Sequence, residues 1–301
     1  MKGSALRIPP ELHARLRDLR LSMRGPSSGD GLGMHASRSR GAGLEFAQYR
    51  GYEPGDEPRR IDWKLFARSD RYFVREAERD SPLTVWILID ASASMAQSDR
   101  ARPQFSKLEA ARILAACVID LALRQGDRFG IVGLSAEGLQ FVAEGAGPRQ
   151  RDRCMVELER LKSAGSGVAD SQLTPLWDRV RPGSLVILLG DGFDERLMDL
   201  AVRLSATRRE VASIQLLTAE ERDFSFRGGL LLRDPETGTE MRVDAERARK
   251  EYLDRFAAAR TALARRLAAN GVAHAEHVLD RPLDEPLRAL FGAAQRAVER
   301  R

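Results

Sequence analysis

Cysteine is nearly missing from this chain: its 301 residues include two, Cys117 and Cys154. A pair cannot form the disulfide framework of a small secreted scaffold, so a reducing compartment is expected. Cys117 sits in the apolar pattern of a helix, which predicts a buried thiol. Long apolar runs are missing as well. None approaches the about 18 residues that a membrane-crossing helix needs. Lys2 and Arg7 are not followed by the apolar stretch of a secretory signal, and the expected location is cytoplasmic. Aromatic residues make up only 6%, and no basic block carries them interleaved, which argues against a nucleic-acid track. The formal net charge is +5, small for a pI of about 9.5. The bases are mostly arginines interspersed with acids, the text of a solvated or protein-binding face.

The usual catalytic signatures are missing too. No Gly-x-x-x-x-Gly-Lys-Ser/Thr loop is present, so the chain is not itself a P-loop ATPase. Gly41-x-Gly43 does not follow a buried strand and is no dinucleotide fingerprint. There is no Gly-x-Ser-x-Gly elbow and no legible Cys–His pair. His13 and His35 stand alone. His274 and His277 lie an odd number of residues apart in an expected strand, which puts them on opposite faces and rules out joint chelation. An Asp-x-Asp phosphatase arrangement would need an acid where Ser92 stands.

What is present is an unbroken apolar, β-branched run, Leu83–Asp90, that stops at a carboxylate. Such a run reads as a buried parallel strand, and an ionised Asp has a use only at its carboxyl end, where open α/β sheets hold ligands. Asp90, Ser92 and Ser94 put three hard oxygens on one loop, chemistry for Mg2+ or Mn2+ rather than zinc or copper. The plain alternative is a polar turn in which Ser92 or Ser94 caps backbone donors. A second run, Leu185–Gly190, stops at Asp191, with a glycine on each side that lets the backbone approach an ion. The alternative there is an ordinary strand-to-helix turn. Asp194 reads as the N-cap of the helix that follows.

Organisation follows from periodicity. Leu12, Leu16, Leu19 and Met23 predict an amphipathic helix over 10–24, followed by a flexible Gly/Pro/Ser break. Residues 44–82 predict irregular β structure around Leu44–Phe46, Trp63–Phe66 and Tyr72–Val74. After 82, strands and helices alternate. Strands are expected at Leu83–Asp90, Arg128–Leu134, Leu139–Ala143, Leu185–Gly190, Val211–Thr218 and Val272–Leu279. Helices are expected at Lys107–Arg124, Gln150–Lys162, Pro175–Arg179, Glu195–Arg208, Ala245–Asn270 and Glu285–Val298. Ser106 and Glu109 predict a reciprocal capping box, and Gly271 a helix-ending glycine. The link between the second and third strands is too short to cross over, so that pair is antiparallel. The fold class is α/β, doubly wound, with a mostly parallel six-stranded sheet and one antiparallel edge strand. Two domains are expected: 1–82, a helix and extension, and 83–301, the α/β domain with a hairpin insertion near 230–243.

At this point the chain resembles known families. Asp90-Ala91-Ser92-Ala93-Ser94-Met95 resembles the Asp-x-Ser-x-Ser start of a metal-ion-dependent adhesion site in von Willebrand factor type A domains. Gly41-Ala42-Gly43-Leu44-Glu45-Phe46, Arg50-Gly51-Tyr52-Glu53-Pro54-Gly55-Asp56 and Arg60-Ile61-Asp62-Trp63-Lys64 with Ala67-Arg68 resemble a bacterial family, domain of unknown function 58. The resemblance covers residues 35 to 218. It implies a type A sheet with a Mg2+ or Mn2+ site at its switch point. Asp90 would meet the ion through water, Ser92 and Ser94 directly, and Asp191 would be the second acid, leaving the ion open to a partner's carboxylate. It also implies linkage to MoxR-type AAA+ ATPases. Many members carry transmembrane helices ahead of the signature, and this chain looks like a soluble, shortened member.

The third loop departs from the pattern, which expects a Thr opening a helix after a glycine-rich turn. In Gly165–Pro175 one alignment sets Ala169 on that position. Thr174 is either an N-cap before an N1 proline or the missing hydroxyl. Arg60, Asp62 and Trp63 could form a partner-binding surface, or a packing element with Trp63 buried and Asp62 paired to an arginine. The function expected is a metal-dependent protein-binding module working with a MoxR-type ATPase. The alternatives are a metal-dependent hydrolase with Asp194 as base and, ranked lower, a nucleic-acid-binding protein.

Overall fold

A computed structural model describes residues 6–23, 46–52, 61–77 and 82–299. The chain divides into two compact units, residues 1–24 with 83–301, and residues 25–82. The N-terminal segment was expected to go with the extension. It belongs instead to the larger unit, because Leu12, Leu16, Leu19 and Leu21 are buried in that unit's core.

Helix α1 (Pro10–Arg15) is shorter than its apolar spacing predicts. Beyond it the backbone finds partners other than its own turns: Gln125 accepts from Leu21 N–H at 2.8 Å and donates to Leu21 C=O at 2.9 Å. Arg124 donates to the carbonyls of Leu16 and Arg17.

The smaller unit pairs β1 (Phe46–Gly51) with β2 (Phe73–Ala77) antiparallel. Between them Trp63–Phe66, expected as irregular β, is helical and belongs to α2 (Trp63–Ser69). The Asp62 carboxylate accepts from the N–H groups of Lys64 and Leu65 at 2.9 and 3.1 Å, an N-cap that starts the helix. Phe66 stacks on Tyr72 with ring centroids 4.5 Å apart.

The larger unit continues with β3 (Thr84–Asp90), α3 (Lys107–Gln125), β4 (Arg128–Ser135), β5 (Gly138–Gly145), α4 (Pro148–Arg160), α5 (Thr174–Arg179) and β6 (Leu185–Gly190). It then runs through α6 (Glu195–Ala206), β7 (Glu210–Leu217), α7 (Ala219–Asp223), the hairpin β8 (Gly229–Arg233) and β9 (Glu240–Asp244), α8 (Ala245–Ala269), β10 (Ala273–Val278) and α9 (Glu285–Glu299). The main sheet is six-stranded in the order β10-β7-β6-β3-β4-β5. All its pairs are parallel except the β4–β5 edge, as the sequence predicts.

Alternation along β3 sends Val85, Ile87 and Ile89 to one core, with α3, α4 and α9, and Trp86 and Leu88 to the other, with α5, α6 and α8. Burial on both faces is why β3 and β6 read as continuous apolar runs. Gly271, at φ 73°, takes the left-handed turn that ends α8. The Ser106 hydroxyl accepts from Glu109 N–H at 3.2 Å, but the Glu109 carboxylate pairs with Arg112 at 2.9 Å, so the box forms on one side only. Both cysteines are buried, and burial pushes each thiol up to about 12.

Candidate functional site

Chain order fixes where a site can form. From β3 the chain moves outward to β4 and β5, then returns to β6 on the other side of β3 and continues to β7 and β10. The direction of winding reverses between β3 and β6, and a crevice opens beyond their carboxyl ends. Asp90 is the last residue of β3 and Asp191 the first after β6. The backbones come close because residue 190 lacks a side chain: a Cβ on Gly190 would stand 3.0 Å from the Asp90 Cβ.

The first loop is held by its own polar groups. Asp90 is buried, and its Oδ1 accepts from Ser92 N–H at 2.9 Å. Ser92 occupies the N-cap position of the 3-10 turn Ala93–Ala96 yet makes no side-chain cap bond. Its hydroxyl lies 2.9 Å from that of Ser94. The two serines therefore face each other instead of capping backbone donors. Burial and the nearby charge of Asp191 raise the Asp90 carboxyl to about 7.

Asp191 is 2% exposed. Its Oδ1 accepts from Phe193 N–H at 3.1 Å, and Gln215 Nε2 donates to its carbonyl at 2.9 Å. Its Oδ2 is buried without a hydrogen bond. The Lys107 ammonium, fully buried at the start of α3, lies 3.8 Å from that atom. Lys107 is held by Gln97 Oε1 at 3.0 Å and Glu221 Oε1 at 2.6 Å. Glu221 in turn forms a capping box with Thr218 at the end of β7. Thr218-x-x-Glu221 is legible in the sequence as a capping box. The burial of a lysine that opens a helix is not.

The third loop joins the first through backbone bonds, Ala93 N–H to Gly165 C=O at 2.8 Å and Ala164 N–H to Ala91 C=O at 2.9 Å. Asp194 caps α6 through Arg196 N–H at 2.9 Å, as expected, and its Oδ1 also accepts from Arg196 Nε at 3.1 Å. Its Oδ2 is buried without a hydrogen bond, against Gly167. Thr174 is not the N-cap of α5: Leu173 holds that position, and Thr174 is the first helical residue, exposed to solvent. Among the described residues, no hydrogen bond joins Thr174 to Asp90, Ser92, Ser94 or Asp191.

A further acid comes from the hairpin insertion. Glu236, in the β8–β9 turn, is half-buried, and its N–H donates to Asp234 Oδ1 at 2.9 Å. Burial, then the charges of Asp191 and Asp194, raise its carboxyl above the usual range. The sequence identified the hairpin but carried no signal for where its tip lies.

Among the described residues, no group of three or more His, Cys, Asp or Glu side chains is arranged to hold a metal ion. A site built on two hydroxyls would not have that composition. The residues that do converge fit a small divalent ion on one observation above others: the Asp191 Oδ2 is buried and unbonded beside a carboxyl that resists ionisation. In β10, His277 is buried and His274 half-buried; strand alternation turns them to opposite faces, so they share no site.

Of the residues singled out in the smaller unit, Arg60 lies outside the described residues. Asp62 is buried as the α2 cap, whereas Trp63 is 58% exposed, with edge contacts to Phe66 and Tyr72. The packing alternative required Trp63 to be buried, and it is not.

A sequence profile described as "Protein of unknown function DUF58" matches residues 48–262, which carries the resemblance past residue 218 and through the hairpin. The uncharacterized protein Rv1480 of Mycobacterium tuberculosis is 27% identical over 256 residues, 84% of this chain and 80% of that one. Protein Mb1516 of Mycobacterium bovis matches to the same extent. Among solved structures, the conserved hypothetical protein BatB from Bacteroides thetaiotaomicron aligns with a TM-score of 0.45 at 15% identity, over 72% of this chain and 99% of that one. The SpRpn10 VWA domain aligns at 0.41 and 12%, over 69% and 95%.

Proposed function

The chain belongs to the DUF58 family, and from that membership and the geometry at the β3–β6 crevice we propose that it is a protein-binding module whose docking depends on a divalent cation. Ser92, Ser94, Asp90 and Asp191 would hold Mg2+ or Mn2+. When bound, the ion supplies a Lewis-acidic point for a carboxylate on the partner. The chain's own residues do the rest. Asp90 orients the first loop through Ser92 N–H, the serines offer hydroxyl oxygens, and Gly190 lets the two strand ends approach. The observation that carries this reading is the buried, unbonded Asp191 Oδ2 beside Asp90. The partner is a MoxR-type AAA+ ATPase or its client, on the strength of the family resemblance alone. No helix among the described residues is long and apolar enough to cross a membrane.

The hydrolase alternative needs a free base beside the ion. Asp194 engages the α6 cap and Arg196 through Oδ1 alone, and its Oδ2, buried against Gly167 without a hydrogen bond, is the atom that such a reading would use; turnover lost in Asp194→Asn would favour it.

The test is calorimetric titration of Mn2+ into the wild type, Asp90→Ala and the Ser92→Ala/Ser94→Ala double variant, together with co-purification of a co-expressed MoxR-type ATPase with and without chelator. Saturable Mn2+ binding lost in both variants, with ATPase recovery that follows it, is the expected result. No Mn2+ binding by the folded wild type would defeat the reading.

A further inference from the structure

The β8–β9 hairpin is a two-stranded sheet with no third strand beside it among the described residues. Its ladder fixes which backbone groups point outward. Asp234 N–H donates to Thr239 C=O at 2.9 Å, and Ala245 N–H to Gly228 C=O at 3.0 Å. The register between them is Leu230↔Val243, Leu231↔Arg242 and Leu232↔Met241. Alternation of bonded and non-bonded pairs therefore turns the backbone of Leu230 and Leu232 towards β9. Gly229, Leu231 and Arg233 are left with N–H and C=O on the outer edge of β8. On β9 the outward residues are Glu240, Arg242 and Asp244.

The two edges differ in what they accept. About a two-fold axis at Arg242, a second β9 would set Arg242 opposite Arg242 and Glu240 opposite Asp244. Like charges directly opposite are destabilising, and charge of this kind keeps an edge free. The β8 edge carries no such guard. A two-fold axis at Leu231 sets Leu231 against Leu231, Leu230 against Leu232, and Arg233 against Gly229. The glycine leaves room for the arginine, since a Cβ on Gly229 would meet nothing within 4 Å. Every outward N–H and C=O from Gly229 to Arg233 finds a partner in that register. The apolar side chains agree with it. Leu231 is 58% exposed and Met241 60%, large groups that a lone hairpin leaves in water. In a four-stranded sheet of order β9-β8-β8-β9, Met241 and Leu232 of one copy line up with Leu230 and Val243 of the other on one face. The Leu231 pair meets on the opposite face.

We propose that β8 is a self-association edge: two copies of this chain pair their β8 strands antiparallel about an axis at Leu231 and form a two-fold dimer. The occupant is a second copy rather than an unrelated strand because one register does three things. It satisfies the outward backbone, matches leucine to leucine, and sets arginine on glycine. A lone two-stranded ribbon is marginal in water, whereas three or more strands with an apolar face are not. Pairing therefore stabilises the hairpin and the dimer together. One strand from each copy is a contact at the small end of specific interfaces, so the dimer depends on concentration. It involves none of the residues assigned to the cation and needs no ion.

Sedimentation velocity of the full chain in chelator, over a range of concentrations, reads the association. A monomer–dimer equilibrium is expected for the wild type. Leu231→Pro removes the outward N–H without touching the bonds to β9, at a position where an edge strand admits proline. It is expected to weaken the dimer about thirtyfold, from the loss of the two backbone hydrogen bonds at the axis. Leu231→Lys keeps the backbone intact and sets two charges on the axis, and it is expected to give monomer as well. Arg242→Pro is the matched change on the β9 edge and is expected to leave the dimer as in the wild type. Cysteine trapping under mild oxidation supplies a second readout, because the native thiols are buried. Leu231→Cys is expected to give a disulfide-linked dimer, since bonded antiparallel partners hold their Cα atoms about 5.5 Å apart, and Arg242→Cys is not. A wild type that stays monomeric at every concentration overturns the proposal. So does a dimer that survives both Leu231→Pro and Leu231→Lys, one lost equally in Arg242→Pro, or equal trapping by the two cysteine variants.

Discussion

Lys107 Nζ lies 3.8 Å from Asp191 Oδ2, and both side chains are buried. The chain therefore carries an internal cation next to the carboxylate assigned to a divalent ion. Lys107 is engaged more closely by Glu221, at 2.6 Å, so it offsets part of the negative charge of Asp191 as an ion pair without a hydrogen bond to it. Replacing it separates two effects. Lys107→Met leaves Glu221 and Asp191 without their cation and is expected to cost about 3–5 kcal/mol, as for one partner removed from a buried pair. The same change removes a positive charge near the cation site, so Mn2+ affinity is expected to rise. Thermal melts with and without Mn2+ check both: a lower melting temperature for the variant in chelator, and a larger upward shift on adding Mn2+. An unchanged Mn2+ shift would place the ion away from Asp191.

Asp90→Asn addresses the neighbouring acid. In the absence of divalent ions the Asp90 charge is opposed by burial and by Asp191. The amide oxygen can still accept from Ser92 N–H, so the loop keeps its shape. Removing the charge is expected to stabilise the metal-free protein above neutral pH by about 4 kcal/mol, the worth of a pKa shift of about three units, and to abolish the stabilisation by Mn2+. Chemical denaturation at pH 8 in chelator measures the first effect. A loss of stability there would mean that Asp90 is held charged by a group other than a cation.

The elements with strong periodicity were legible before the fold was seen. Leu185–Gly190 is β6 to the residue, and β3 differs only by Leu83. Buried parallel strands must be continuously apolar, so their text has one reading. The carboxylates at their ends were legible for the same reason, as the first charges after each run. What could not be read depends on the third dimension. The apolar spacing through Leu19 reports burial, but the helix stops at Arg15 because Arg124 and Gln125 bond the backbone beyond it. Trp63–Phe66 looked extended because its aromatics suit strands, yet the Asp62 cap starts a helix. The burial of Lys107 follows from how distant loops meet, which no local pattern encodes.

Gly167 tests the third loop. A Cβ there would lie 2.1 Å from Asp194 Oδ2, too close for the carboxylate to keep its position. Gly167→Ala is expected to push Asp194 from the α6 cap or to displace the loop, at a cost of about 1–3 kcal/mol, the range for overpacking. Denaturant midpoints for Gly167→Ala and Asp194→Asn, alone and combined, provide the check. Coupling between the two substitutions is expected. Simple additivity would show that the loop yields on its own, without moving Asp194.

The acid side of the stability curve is expected to depend on His277. Burial lowers its imidazole to about 4, against an ordinary value of 6.5, and neither ring nitrogen has a hydrogen-bond partner. His274 is shifted in the same direction by burial. Above pH 6.5 the ring is neutral in both the folded and unfolded chains, and folding is unaffected. As the pH falls from about 6.5 towards 4 the unfolded chain takes up the proton and the folded one does not, so stability is lost across that window. For His277 the loss amounts to about 3 kcal/mol, from the size of the shift. Asp90 acts in the opposite sense over much of the same range. Its folded carboxyl binds a proton near pH 7, while the unfolded one waits until about pH 4, so acidification stabilises the fold through that residue. The two slopes partly cancel in the wild type. The comparison is therefore made in the Asp90→Asn background, where adding His277→Leu is expected to flatten the decline in unfolding free energy between pH 6.5 and 4. Identical slopes with and without His277→Leu would mean that the ring is already protonated inside the fold.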